Sequence, residues 1–162
     1  MEAISRITVR PATEADLPLI LQLIRELADY ERLADQCIAT IDLLRQHIFG
    51  PRPVAEVRIG SLDGVPVGFT LFFHNFSTFL SRPGIYIEDI YVQPHARGKG
   101  VGKALLREVA RLALERNCGR LEWSVLDWNE PSINFYKSVG AVPMSEWTVF
   151  RVTGDALKKL GT

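Results

Sequence analysis

Cysteine is scarce in this sequence, and the two that occur, Cys37 and Cys118, lie far apart with no C-x-x-C pairing. This pattern excludes a disulfide framework and a cysteine zinc motif, and it is typical of proteins from a reducing compartment. The three histidines, at 47, 74 and 95, also lack the spacing of metal ligands. We therefore expect no metal site and a cytoplasmic protein.

Net charge and long apolar runs are missing as well. The 19 Lys and Arg residues balance 19 Asp and Glu residues, so no overall charge attracts the chain to nucleic acid or to a membrane surface. The stretch MEAISRITVRPAT has no apolar signal-peptide core. The most apolar window, VPVGFTLFFHNFSTFL, contains His74 and Asn75 and is too short to span a membrane. We expect a soluble protein with neither a nucleic-acid nor a membrane partner.

What is present is the composition of an ordinary globular protein. Apolar residues make up 47% of the 162 residues and charged residues 23%, which suits one domain with a full hydrophobic core. No repeat, low-complexity stretch or long linker divides the chain. We expect a single domain over residues 1–162.

The apolar periodicity predicts strands and helices in mixed order. Asp63-Gly64 is the strongest hairpin signal, and Asn129, Pro131 and Gly140 are typical of the two ends of a short helix. The order is strand, two helices, three strands, helix, strand, helix and strand, which predicts an α/β (α+β) fold with a mixed sheet covered by helices. The predicted elements are strands at 4–11, on both sides of Asp63-Gly64 within 53–76, and at 84–94, 120–126 and 142–153; helices at 17–30, 41–49, after the glycine loop and within 129–141; and a short helix or frayed tail at 154–160.

A glycine-rich loop with three cations, residues 97–103, leads directly into a predicted helix. Backbone N–H groups at a helix start lack partners within the helix, and the helix dipole favours negative charge there. Glycines let a phosphate approach these groups because no Cβ is in the way. The loop therefore predicts an anion site, although a plain surface turn before a helix has the same spacing.

Three phosphate-binding patterns can be compared with this loop. The P-loop and the G-x-G-x-x-G dinucleotide pattern both fail, because Lys103 stands where each requires a glycine. The pattern that fits is R-x-x-G-x-G, formed by Arg97, Gly100 and Gly102 after the strand IEDIYV. This loop resembles the pyrophosphate loop of the GNAT N-acetyltransferase superfamily, which binds acetyl-coenzyme A.

The resemblance extends along nearly the whole chain in the right order. The stretches RPAT, LADYE, YIEDIYV, RGKGVG and WNEPSINFYK are similar to the spermidine/spermine (diamine) and thialysine N-acetyltransferase branch, and the last is far more specific than a glycine pattern. The resemblance implies a GNAT-type, mostly antiparallel central sheet flanked by helices, with the acetyl-CoA loop between a central strand and the following helix. It also implies a homodimer to which the last strand contributes.

Acetyl transfer from a thioester to an amine requires a neutral amine, a polarised carbonyl and a stabilised or protonated thiolate. The resemblance implies that Tyr136 is the general acid and that Glu88 contacts the amine and takes its proton, directly or through water. Neighbouring strand residues point to opposite faces, so we expect at most one of Glu88 and Asp89 to face a given cleft, and we assign Asp89 no role.

The resemblance also implies residues that bind the two substrates. Main-chain groups of the strand before the loop would contact the pantetheine arm and the acetyl carbonyl, while the loop would bind the pyrophosphate. The implied cofactor residues are Ile90, Tyr91, Val92, Arg97, Gly98, Lys99, Gly100, Val101, Gly102, Lys103, Asn129, Glu130, Pro131 and Ser132. The implied acceptor residues are Tyr30, Glu31, Glu88, Glu122, Trp123 and Ser124.

The identity of the acceptor stays open. Long polyamines require several carboxylates, but Arg32 lies among Asp29, Glu31 and Asp35, and the following LADQCIAT is only weakly acidic. A diamine or polyamine and a smaller amine, such as thialysine or a lysine-like amino acid, therefore remain alternatives.

Other functions remain open as well. A protein or peptide N-acetyltransferase would need an open groove, which a sequence does not reveal. A non-catalytic acetyl-CoA-binding regulatory module is disfavoured by the presence of Glu88 and Tyr136, and a plain nucleotide-binding domain by the failed loop patterns.

Overall fold

The computed structural model describes residues 4–162, which form two compact units. The first extends to Ser124 and the second is Val125–Thr162. The single domain that the composition predicts for residues 1–162 stays a prediction.

A five-stranded sheet forms the centre of the first unit, with its strands in chain order. Neighbouring strands are antiparallel except for the last pair, β4 and β5, which is parallel. The strands are β1 (Ile7–Pro11), β2 (Glu56–Leu62), β3 (Val65–Ser77), β4 (Arg82–Val92) and β5 (Leu121–Trp123). The mixed, mostly antiparallel sheet predicted from the sequence is confirmed.

The Asp63-Gly64 dipeptide connects β2 and β3 as a two-residue hairpin loop. Both residues have positive φ, 51° for Asp63 and 82° for Gly64, as a type I′ turn requires. The predicted hairpin is therefore confirmed.

Helices cover both faces of this sheet because each has one apolar stripe. On one face, α1 (Leu17–Tyr30) packs Ile20, Leu23 and Leu27 against Val57, Ile59, Phe69 and Tyr91. On the other, α3 (Val101–Glu115) packs Val101 and Leu105 over Val67 and Gly60. A short α2 (Ile41–Leu44), continued by a π-helical turn at Arg45–Phe49, completes the first face. Short 3-10 turns occur at Glu14–Asp16, Ala34–Gln36 and Pro94–Ala96.

The second unit contains α4 (Glu130–Ser138) and α5 (Gly154–Leu160). As predicted, Asn129 caps α4, since its side-chain oxygen accepts from the Ser132 N–H at 3.4 Å, and Gly140 follows the helix with φ of 92°. The predicted short helix at the C-terminus is present as α5.

The strand predicted for residues 142–153 is not formed. Residues 141–153 contain no strand in the described structure, and Trp147 and Phe150 are exposed there. A strand is stable only when a neighbour accepts and donates its backbone hydrogen bonds, and Pro143 removes one of the donors. The sequence pattern contains β-forming residues but cannot supply that neighbour.

Candidate active site

A β-bulge in β4 places two acidic residues at the edge of the α1 face. The register pairs Leu71 with Asp89 and Phe72 with Ile87, so Glu88 is an extra residue without a partner on β3. The Thr70 hydroxyl donates to the Asp89 carbonyl oxygen at 2.9 Å and fixes the backbone there. Because a bulge interrupts the alternation of side chains, the expectation that at most one of Glu88 and Asp89 faces a given cleft loses its basis.

Three carboxylates influence one another at this bulge. Burial, together with the charges of Glu88 and Glu31, raises the pKa of Asp89 to about 7, and burial is the largest of the three causes. Burial also raises the pKa of Glu31, with the charge of Glu88 as the second cause. The end of α1 and the bulge of β4 thus form one acidic cluster, Glu31, Glu88 and Asp89, which brings together two of the predicted acceptor residues and adds Asp89.

Beyond the bulge, β4 extends past its parallel neighbour. The last pair between β4 and β5 is Ile87 with Trp123, whereas β4 continues to Val92. From residue 88 onward, the edge of β4 that faces away from β3 has no strand partner within the unit that ends at Ser124. Its backbone can therefore bind an extended ligand, while the side chains of Ile90, Tyr91 and Val92 belong to the two cores.

The glycine loop has the geometry that the sequence predicts for an anion site. Gly98 and Gly100 have φ of 75° and 98°, and Gly100 directly precedes α3 without a side chain that could cap the first N–H groups. Lys99 and Lys103 are exposed, whereas the Val101 side chain is buried in the core. The loop therefore combines uncapped N–H groups, two accessible cations and backbone that an anion can approach.

The side chain of Arg97 lies towards α1. Its Nε donates to the Val92 carbonyl oxygen at 2.9 Å, and its guanidinium carbon lies 4.6 Å from the ring centroid of Tyr30 and 5.6 Å from that of Tyr91. Burial raises the pKa of the Tyr91 phenol, the charge of Glu26 raises it further, and the charge of Arg97 opposes both. The phenol of Tyr91 is thus influenced by both Glu26 and Arg97.

An open groove of about 520 Å³ lies along the end of α1 and the connection from β4 to α3. Two of its lining residues are joined, because the amide nitrogen of Gln93 donates to the carboxylate of Glu26, at 3.1 and 3.2 Å from the two oxygens. The residues that line the groove are Glu26, Asp29, Tyr30, Tyr91, Gln93, Pro94, His95 and Arg97.

Two predicted acceptor residues, Glu122 on β5 and Ser124 directly after it, have partners in the first unit. Glu122 accepts from the Asn75 amide at 3.2 Å and pairs with Arg120 at 3.0 Å, so its charge is already engaged. The Ser124 hydroxyl lies 2.6 Å from the phenol oxygen of Tyr86. The sequence analysis did not identify Tyr86 as a site residue. Its position two residues before Glu88 on the same strand could have indicated it, but its contact with Ser124 depends on the register between β4 and β5.

Tyr136, the predicted general acid, lies half-buried on α4 in the second unit. Asn129, Ser132 and Tyr136 follow the repeat of the helix, so they share one side of it. The rings of Tyr136 and Phe135 lie 5.6 Å apart.

Within residues 4–162, no group of three or more His, Cys, Asp or Glu side chains is arranged to hold a metal ion. None of the helices in this range combines the length and the apolar character that crossing a membrane requires.

Comparison with known proteins defines the class to which this fold and loop belong. Residues 21–141 match the model of the acetyltransferase (GNAT) family, and the chain belongs to this family. It is an acetyl-CoA-dependent N-acetyltransferase by family, as the sequence resemblance implies.

Curated relatives and solved structures cover nearly the whole chain. Thialysine N-epsilon-acetyltransferase from Bos taurus is 38% identical over 95% of this chain and 96% of the relative. L-ornithine N5-acetyltransferase from Arabidopsis thaliana is 34% identical over 94% of this chain and 86% of the relative. The structure of an integron cassette protein from the mobile metagenome of V. cholerae aligns with a TM-score of 0.81 at 26% identity, covering 96% of this chain and 97% of that one.

Proposed function

We propose that this protein transfers the acetyl group of acetyl-CoA to a primary amine of a small molecule, by direct attack in a ternary complex. The observation that supports this most is the acidic cluster of Glu31, Glu88 and Asp89, next to the free edge of β4. A carboxylate cluster attracts a cationic amine, and the neighbouring backbone suits the pantetheine arm that would present the acetyl group.

The acceptor that fits best is an amino acid with a terminal amine, such as thialysine or a lysine-like molecule. The relatives named above are a thialysine and an ornithine acetyltransferase. The pKa of Asp89 is raised to about 7, so part of the negative charge of the cluster is lost near neutral pH. A long polyamine carries several positive charges, and this cluster would offer it fewer ionised carboxylates than the three acidic residues alone would indicate.

The residues of the loop fit acetyl-CoA. The diphosphate would accept from N–H groups of Arg97 to Lys103 with charge support from Lys99 and Lys103, and the pantetheine arm would contact the backbone of Ile90 to Val92. The start of α4, from Asn129 to Ser132, completes the cofactor residues by the family pattern. Bound acetyl-CoA would supply the acetyl group as an activated thioester.

Two side chains then move protons. Glu88 takes the proton of the ammonium group, directly or through water, so that the nitrogen lone pair can form the bond to the acetyl carbon. As the carbon–sulfur bond breaks, the phenol of Tyr136 gives its proton to the departing sulfur. The nitrogen loses a second proton as the amide forms, and this proton restores the phenol of Tyr136. Two protons therefore leave nitrogen, one held by Glu88 and one replacing the proton delivered to sulfur, and no oxidant or reductant is needed.

Thiol release with a panel of amines tests this function. The panel consists of thialysine, lysine, ornithine, putrescine, spermidine and a lysine-containing peptide. We expect thialysine or another amino acid of this set to have the highest kcat/KM, and Glu88→Gln to lower it for every amine. Release with the peptide alone would indicate a protein acetyltransferase instead. Protection of the fold by acetyl-CoA without any thiol release would indicate a regulatory module.

The assembly and compartment belong to the same proposal. The two units would act as one domain, residues 1–162, and the protein would be a cytoplasmic homodimer. The two cysteines, both free and half-buried, suit a reducing compartment. A monomer in sedimentation at micromolar concentration would contradict the dimer.

A further inference from the structure

The side chain of Arg97 is directed away from the anion site of its own loop. It has three partners on the α1 side: the Val92 carbonyl oxygen at 2.9 Å, the Tyr30 ring at 4.6 Å and the Tyr91 ring at 5.6 Å. A guanidinium is a planar donor that stacks on aromatic faces, and its geometry here is that of a cation–π contact. These three contacts fix its orientation.

Charge at the loop does not depend on this guanidinium. Lys99 and Lys103 are exposed on the same loop, and Gly100 leaves the first N–H groups of α3 uncapped. Two cations and several donors are therefore present for a diphosphate without Arg97. The guanidinium lies instead over the ring of Tyr30, at 4.6 Å from its centroid.

A second contact joins the same two segments. Gln93, four residues before Arg97, donates its amide to the carboxylate of Glu26, one helical turn before Tyr30. Residues 93–97 thus hold the last two turns of α1 at two points. Glu31 directly follows Tyr30, so the position of this carboxylate in the acidic cluster depends on where α1 ends.

We infer that Arg97 is a positioning residue for the acceptor site. Through its contact with Tyr30 it holds the end of α1, and therefore Glu31, against the loop that binds the cofactor. Filling the loop with acetyl-CoA restrains residues 97–103, which in turn restrains Tyr30 and Glu31. The two sites are coupled, and the coupling is reciprocal because it is a property of the equilibrium. This inference depends on the proposed function, which places the acceptor at Glu31.

Steady-state kinetics and calorimetry of Arg97→Ala test the inference, with Lys99→Ala as the matched control from the same loop. We expect Arg97→Ala to raise the acceptor KM at saturating acetyl-CoA about tenfold, within the range common for coupled sites, and to leave the Kd of acetyl-CoA nearly unchanged. Lys99→Ala should do the reverse, because its exposed charge is available only to the anion. Arg97→Lys keeps a cation near the ring but not the planar donor, so its acceptor KM should be intermediate.

The opposite split would overturn the inference. If Arg97→Ala weakens acetyl-CoA binding and leaves the acceptor KM unchanged, Arg97 is a diphosphate ligand. The double variant Arg97→Ala/Tyr30→Leu provides a further test. If the two side chains act through their contact, the increase in acceptor KM in the double variant should be smaller than the product of the increases in the two single variants. An increase equal to that product would show that the contact does not affect acceptor binding.

A measurement without turnover separates this inference from the proposed function. Hydrogen exchange of the amides of residues 28–33 should become faster in Arg97→Ala than in wild type and in Lys99→Ala. That result is expected even if none of the amines proves to be a substrate, in which case the proposed function alone fails. Unchanged exchange in Arg97→Ala would show that Arg97 does not hold the end of α1.

Discussion

The guanidinium Nε of Arg58 lies 3.5 Å from the Glu108 carboxylate, and this pair joins β2 to α3 beneath the helix. Only 10% of the Arg58 side chain and 21% of the Glu108 side chain are exposed. Arg58 also stacks over the Phe72 ring at 5.5 Å, and its other carboxylate partner, Glu56, is 4.0 Å away. Glu108 is therefore the nearer of two carboxylates beside a buried cation.

Glu108→Ala should lower the free energy of unfolding by about 2–3 kcal/mol, because it leaves the charge of Arg58 buried without its nearer partner. Urea denaturation at pH 7 measures the change. The matched control is Glu115→Ala, which also removes a carboxylate partner of Arg111 but at a side chain that is 62% exposed. We expect the control to cost less than about 0.5 kcal/mol. Equal losses in the two variants would contradict a special role of the buried pair.

Asp89 should make stability depend on pH. Its pKa is raised to about 7 in the folded protein, whereas in the unfolded chain it has its ordinary value near 3.8. Between these values the folded state holds a proton that the unfolded state has lost. The contribution of Asp89 to the free energy of unfolding is therefore fully present at low pH, and it is lost as the pH rises towards about 7.

Asp89→Asn removes this pH dependence, because the amide does not ionise. One pKa unit corresponds to about 1.4 kcal/mol, so we expect the variant to be more stable than wild type at pH 8 by about 1–4 kcal/mol. Denaturant unfolding between pH 4 and 8 measures both curves. Asp155→Asn on the exposed α5 is the control and should run parallel to wild type; a parallel curve for Asp89→Asn would show that Asp89 ionises normally.

Removing the proposed general acid should separate binding from turnover. Tyr136→Phe loses one hydroxyl group and keeps the ring that contacts Phe135. We expect kcat to fall by about 10²–10⁴-fold, the range typical for loss of general acid–base catalysis, with acetyl-CoA binding preserved. Thiol release gives kcat, and a thermal-shift titration with acetyl-CoA gives the binding. Full activity in this variant would remove Tyr136 from the mechanism.

Features that depend on a few adjacent residues could be predicted from the sequence. Asp63-Gly64 specifies a two-residue turn by itself, because both residues accept positive φ. The loop before α3 is similar, since Gly98 and Gly100 adopt the positive φ that their residue type permits. The family resemblance added the class of reaction, which spacing alone did not provide.

Features that depend on pairing between distant segments could not be predicted. The bulge at Glu88 arises from the register between β3 and β4, and it is what undermines the expectation that Glu88 and Asp89 face opposite sides. The hydrogen bond between Tyr86 and Ser124 depends in the same way on the register between β4 and β5. The predicted strand at 142–153 failed for a related reason, because alternation does not supply a neighbouring strand.

Gly102 offers a test in which stability and cofactor affinity should change in opposite directions. It lies in the first turn of α3, and a Cβ added there would meet only the Val92 Cγ2 atom at 3.7 Å, an ordinary contact. Gly102→Glu replaces a poor helix former and places a negative charge at the positive end of the helix dipole. The free energy of unfolding should rise by about 0.5–1.5 kcal/mol.

The same carboxylate should repel the diphosphate of acetyl-CoA, so we expect the Kd from calorimetry to rise at least about tenfold at low salt, with a smaller effect at high salt. Gly102→Ala is the matched control: it should also stabilise the helix, by about 0.5–1 kcal/mol, but it adds no charge and should change the affinity much less. Because the glutamate variant is expected to be more stable than wild type, a loss of affinity could not be attributed to unfolding. Wild-type affinity in Gly102→Glu would show that the diphosphate does not bind at the start of α3.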